Sequence, residues 1–126
     1  MHPRHLLLPL ALGLFAACGG DDDGGGSAAP PDLGETDATI EVLAEDIAFP
    51  EDVYEAPAGR VGFVYENVGN IQHTLLIEGV DDFELDVAKK GDVDAGAVDL
   101  EPGTYVLFCD VPAHRTAGMV AELVVS

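Results

Sequence analysis

An all-β fold, two sheets packed as a sandwich, is what the sequence predicts for residues 37–126. Three observations carry it. From residue 39 onward the apolar residues come in short runs split by Gly, Pro, Asn and Asp, the texture of strands joined by turns. No segment there keeps a helical apolar period over the roughly 10–12 residues a packed helix needs. A domain of about 90 residues buries only about 60–68% of its chain surface, which supports a single small core.

Taken in order, Thr39–Leu43 alternates weakly and is the first expected strand. Val53–Ala56 is short and runs into Pro57-Ala58-Gly59, a turn signal. Val61–Asn67 sets Val61, Phe63 and Tyr65 on one face of a pleat, and Asn67-Val68-Gly69-Asn70 reads as a loop. His73–Glu78 aligns His73, Leu75 and Ile77. The polar stretch from Glu78 to Asp94 reads either as a short strand or as an irregular crossover. Ala97–Leu100 leads into the turn Glu101-Pro102-Gly103. Thr104–Cys109 aligns Tyr105, Leu107 and Cys109; Met119–Val125 aligns Met119, Ala121, Leu123 and Val125. The expected total is about seven to eight strands, with no internal repeat.

The front of the chain reads as targeting. Residues 1–5 carry Arg4 and no acid, and residues 6–17 form an apolar run. That run is too short for a bilayer, which takes about 20 residues, and suits the core of a signal peptide spanning 1–17. It ends in Leu14-Phe15-Ala16-Ala17-Cys18, which resembles the bacterial lipobox. Cys18 is therefore expected to be lipidated and to anchor the chain to the membrane. Residues 18–36, rich in Gly and Asp and without periodicity, follow as a flexible tether. Plain secretion, with Cys18 a spare thiol or half of a disulfide, is the other reading; both place the domain outside the cytoplasm.

Charge excludes one class of partner. Asp and Glu number 24 against 5 Lys and Arg, a net charge of −19, and no basic patch exists to recruit phosphates, so nucleic acid is ruled out. The acids are spread along the chain, which reads as solubility or adaptation to salt; steering of a positively charged partner is the second reading.

Beyond Cys18, every His, Cys and Met of the chain is one of His73, Cys109, His114 and Met119. The last three stand as C-x4-H-x4-M between two expected strands. A thiolate is soft, imidazole accommodates copper in both oxidation states, and a thioether is a weak axial donor; together they suit blue copper. Zinc is the competing metal, but structural zinc takes four strong ligands rather than a thioether. Singly, each residue has a plain structural reading: a buried thiol, an edge histidine, a surface histidine and core filler.

The motifs N-x-G-x3-H (Asn67 to His73), G-T-Y-x3-C (Gly103 to Cys109) and C-x4-H-x4-M together resemble the cupredoxin family, with the ligand-loop spacing of its rusticyanin and sulfocyanin members. The resemblance implies a Greek-key β-sandwich holding one type 1 copper ion, with His73, Cys109 and His114 equatorial and Met119 axial. A binuclear copper site would need a second Cys in this loop, where only Cys109 stands. It further implies that Thr74 ties the two ligand loops together near Asp110. Pro112 would stiffen the ligand loop and Gly118 would give slack beside Met119. Asp110 costs little if it faces water and destabilises the thiolate if buried. Val111, Pro112 and Ala113 would form a small apolar contact patch near His114.

The implied function is a monomeric, extracytoplasmic electron carrier cycling between Cu(I) and Cu(II) with a respiratory donor or acceptor protein, and not an enzyme. A copper-binding or buffering lipoprotein without electron transfer is the alternative, and an adhesion or accessory domain with an inert Cys109 is a third reading. A hydrolase is poorly supported: Cys109 and His114 lack an orienting group and an oxyanion loop.

Overall fold

The computed structural model describes residues 32–126. The expected signal peptide, Cys18 and the tether as far as residue 31 lie outside the described residues. Eight strands follow: β1 (Ala38–Ala44), β2 (Val53–Ala56), β3 (Gly59–Asn67), β4 (His73–Ile77), β5 (Val80–Val87), β6 (Val93–Leu100), β7 (Gly103–Phe108) and β8 (Val120–Val125). A single-turn helix, α1 (His114–Ala117), interrupts the segment between β7 and β8.

The strands form two sheets, one ordered β1-β3-β6 and one ordered β2-β8-β7-β4-β5. β1 runs parallel to β3 and β2 parallel to β8, whereas the other pairings are antiparallel. From β1 to β4 the chain alternates between the two sheets at every step, so consecutive elements clamp the same core from opposite sides. This is the two-sheet sandwich the apolar alternation predicts.

Period-two burial explains each strand. Ile40, Val42 and Ala44 of β1 face inward, as do Val61, Phe63 and Tyr65 of β3. Leu75 and Ile77 of β4, Leu107 of β7, and Ala121, Leu123 and Val125 of β8 close the core from the other sheet. Phe63 and Phe83 pack across the sheets with ring centroids 5.2 Å apart and planes tilted by 60°. The Tyr65 hydroxyl donates to the Thr74 carbonyl at 2.9 Å, a buried bond that joins β3 to β4 across the core. Burial, reinforced by the nearby Cys109 sulfur, holds the Tyr65 phenol well above its usual range, so it remains a donor.

Two segments depart from the sequence expectation. The stretch after Glu78, open between strand and crossover, is the full strand β5, an edge strand with Phe83, Leu85 and Val87 inward and Asp82, Glu84 and Asp86 in water. Acidic residues are poor strand formers, and three on one face conceal an apolar alternation that is regular. β6 begins at Val93 rather than Ala97, because Val93 and Ala95 pair with Glu66 and Val64 of the long strand β3. Packing also starts ahead of residue 37: Leu33 lies half-buried over Gly62.

Candidate metal centre

One end of the sandwich gathers the residues of interest. β4 starts at His73, whose side chain has the inward parity of Leu75 and Ile77, and His73 is fully buried. The loop leading into it is held by Asn67, also fully buried. The Asn67 amide donates to the Ile71 carbonyl at 2.7 Å and the Val87 carbonyl at 3.1 Å, and its oxygen accepts the Gly69 N–H at 2.8 Å. The N-x-G part of the N-x-G-x3-H motif is therefore a loop clamp.

Cys109 continues the inward parity of β7 and is fully buried. Its backbone N–H donates to the Met119 carbonyl at 3.2 Å, and the Met119 N–H donates to the His114 carbonyl at 3.0 Å. These two bonds fold the segment so that the backbones of Cys109, His114 and Met119 lie side by side. Between them the His114 N–H donates to the Val111 carbonyl at 2.9 Å, closing a turn over Pro112 and Ala113. Ala113 sits at φ 73°, the left-handed region that a type II turn demands at its third residue. Pro112, exposed, supplies the fixed φ of the second position. Gly118 caps α1 at φ 117° with open space where a Cβ would stand; its need is conformational, not steric. The segment is thus a turn plus a helical turn rather than the plain loop expected.

One donor atom from each of His73, Cys109 and His114 lies within 4.8 Å of the others. The Cys109 Sγ and His114 Nδ1 are 3.5 Å apart, and the two imidazole centroids are 5.1 Å apart. His114 is 7% exposed, so of the three only its edge reaches the surface. Burial, with a smaller contribution from His73, pushes the His114 imidazole below its usual range. Met119 is fully buried next to these groups through its backbone bonds.

The groups around the donors are specific. The Thr74 N–H donates to the Cys109 Sγ at 3.4 Å. The Thr74 hydroxyl accepts the Asp110 N–H at 2.9 Å and donates to the Asp110 carboxylate at 2.7 Å. It also lies 3.6 Å from the sulfur; a hydroxyl has one proton, and the shorter contact to a carboxylate takes it. Thr74 thus links the β4 start to the Cys109 segment, the link that the family resemblance implies. Asp110 is exposed, the inexpensive of the two cases weighed for it. On the far side Arg115 pairs with Glu78 at 2.8 Å and lies 4.4 Å above the Phe108 ring, docking α1 on the sheet.

Asp46, in the β1–β2 connection, is a residue sequence reasoning missed. Its Oδ1 accepts the His73 Nε2–H at 2.8 Å and the Ile71 N–H at 3.4 Å, and its Oδ2 accepts the Asn70 N–H at 2.8 Å. The His73 bond, then that from Asn70, holds the carboxyl below its usual range. A Cβ at Gly69 would overlap this carboxylate, so glycine is needed there for close approach. With Nε2 engaged, the buried His73 Nδ1 has no hydrogen-bond partner. An orphaned buried nitrogen beside a thiol and a second imidazole is the arrangement a soft or borderline metal ion would satisfy.

Comparison with protein-family models and with curated proteins finds no match to this chain. Among solved structures it is similar to the dithionite-reduced auracyanin of the photosynthetic bacterium Roseiflexus castenholzii, with a TM-score of 0.64 and 21% identity over 73% of this chain and 99% of that one. It is also similar to auracyanin B, with a TM-score of 0.61 and 24% identity over 75% of this chain and 93% of that one. The likeness is one of fold: the two-sheet β-sandwich is built like that of the auracyanins.

Proposed function

We propose that this chain is an extracytoplasmic blue-copper electron carrier, holding one copper ion through His73 Nδ1, Cys109 Sγ and His114 Nδ1, with Met119 as the axial thioether. The single observation that supports it most is the buried convergence of two imidazoles and one thiol, with the His73 Nδ1 left free of any other partner. Copper in such a donor set supplies a one-electron Cu(I)/Cu(II) couple. The chain supplies the rest. Three donors are pinned by strands and backbone bonds, so little moves when the charge changes. The Thr74 N–H and Tyr65–Thr74 bonds hold the thiolate side. Partner proteins would approach the end where His114 reaches the surface, flanked by half-buried Val111 and exposed Pro112 and Ala113.

The role is electron carriage between protein partners, as a monomer, rather than catalysis. Location outside the cytoplasm, with Cys18 lipidated and the Gly/Asp-rich stretch ahead of Leu33 as tether, rests on the signal-like run of residues 1–17. Addition of one equivalent of Cu(II) to the purified chain should give an intense blue thiolate-to-copper band and a narrow copper hyperfine splitting in electron paramagnetic resonance. A pale spectrum, or no bound copper, would remove the electron-carrier reading.

A further inference from the structure

We infer that Asp46 is a positioning residue for the metal centre: it orients the His73 imidazole through Nε2 and biases the bound copper toward Cu(II). This rests on the copper reading above.

The orientation argument is geometric. His73 is fully buried, and the Asp46 carboxylate is the hydrogen-bond acceptor the structure gives its ring. A carboxylate only accepts, so a proton must sit on Nε2; in the neutral ring Nδ1 is then a bare lone pair, the form a metal ion needs. The carboxylate cannot drift with the ring. Bonds from the Asn70 and Ile71 N–H groups fasten both of its oxygens, and Gly69 closes over it. The connection after β1 is thereby locked to the loop before β4, and the lock ends on the imidazole.

The charge argument follows from position. Asp46 places a full negative charge one imidazole ring from the donor cluster, with its side chain 30% exposed and so only partly screened. Cu(II) carries one more positive charge than Cu(I), so a nearby anion favours the oxidised ion. A hydrogen bond from Nε2–H to a carboxylate also makes Nδ1 a stronger donor, which acts in the same direction.

Two variants separate these effects. In Asp46→Asn the amide oxygen can still accept Nε2–H, while the charge is gone and the amide NH2 no longer accepts the Asn70 N–H. Copper should bind, nitrogen-15 resonances of the metal-free chain should still report the Nε2–H tautomer, and the potential should rise. A change of about tenfold in the Cu(II)/Cu(I) affinity ratio corresponds to about 59 mV for this one-electron couple. In Asp46→Ala the acceptor is lost, so the tautomers should mix and Cu(II) affinity should fall by about tenfold or more. Glu101→Gln, exposed beyond the far end of β7, is the charge control and should leave the potential nearly unmoved.

An unchanged or lowered potential in Asp46→Asn overturns the charge role. An unchanged tautomer and affinity in Asp46→Ala overturns the orienting role; should that variant fail to fold, Asp46→Asn still decides the charge role, and the wild-type tautomer decides the orientation. Should the wild-type chain take no copper, the copper reading falls and with it the bias toward Cu(II). The hold on the imidazole is then judged by the tautomer of the metal-free chain alone, and a wild-type Nδ1–H tautomer would refute it.

Discussion

Replacing Thr74 by Val removes one oxygen and keeps the β-branched shape that suits a strand. Thr74 is 5% exposed, so water does not reach the lost bonds easily. Two bonds disappear: the hydroxyl no longer accepts the Asp110 N–H at 2.9 Å, nor donates to its carboxylate at 2.7 Å. The first is a neutral bond of about 1 kcal/mol, and the second is charge-assisted, about 1.5–3 kcal/mol when shielded. Asp110 is exposed and recovers part of the second from water, so the net loss should be about 2 kcal/mol. For a domain of this size each kcal/mol moves Tm by about 4–8 °C, giving a fall of roughly 10 °C. Thermal unfolding of the metal-free chain, followed by circular dichroism at pH 7, reads this directly. Asp110→Asn keeps the backbone bond and should lose about half as much. A Thr74→Val fall under about 3 °C would refute the idea that this hydroxyl bolts the two ligand segments together.

Three further outcomes are expected. Ala113→Gly relieves a left-handed alanine at φ 73°; against the added chain entropy, the net should be a gain of about 0.5 kcal/mol, and a lower Tm would contradict it. Met119→Leu should leave copper bound while raising its potential, since losing a donor disfavours Cu(II); cyclic voltammetry showing an unchanged or lower value would take Met119 out of the axial role. The metal-free chain should lose stability as pH falls. His114 has its folded pKa lowered by burial, so the unfolded chain binds more protons below the unfolded value of about 6.5. Its contribution is complete above that value and is lost as pH falls through the lower folded one. Asp46, lowered chiefly by its bond to His73, gives a second loss below about 3.8. Urea melts that show no decline between pH 7 and pH 5 would exclude the His114 part.

The strands that alternate apolar and polar residues without interruption were legible, because burial on one face of a pleat leaves a period of two. Val61, Phe63 and Tyr65, and likewise Met119, Ala121, Leu123 and Val125, are buried together as that period requires. β5 was half legible: its inward Phe83, Leu85 and Val87 are in register, but the acids between them mimic a solvated crossover. The helical turn at His114–Ala117 was not legible, since four residues are too few to show a period, and its geometry comes from the Ala113 and Gly118 conformations at its ends.

The sequence by itself determined the donor inventory. His, Cys and Met are so few here that their types and spacing point to one cluster, while the Thr74–Asp110 link was expected only from the family resemblance. Only the tertiary structure decided which carboxylate matters. Asp46 is one of 24 acidic residues, it lies 27 positions before His73, and nothing in its own neighbourhood sets it apart. Its role arises when the end of β1 is paired beside the end of β3, Ala44 against Asn67, which brings the two following loops into contact. Local spacing records contacts made within a turn or along a strand; a contact made by sheet pairing between distant segments leaves no mark on either one alone.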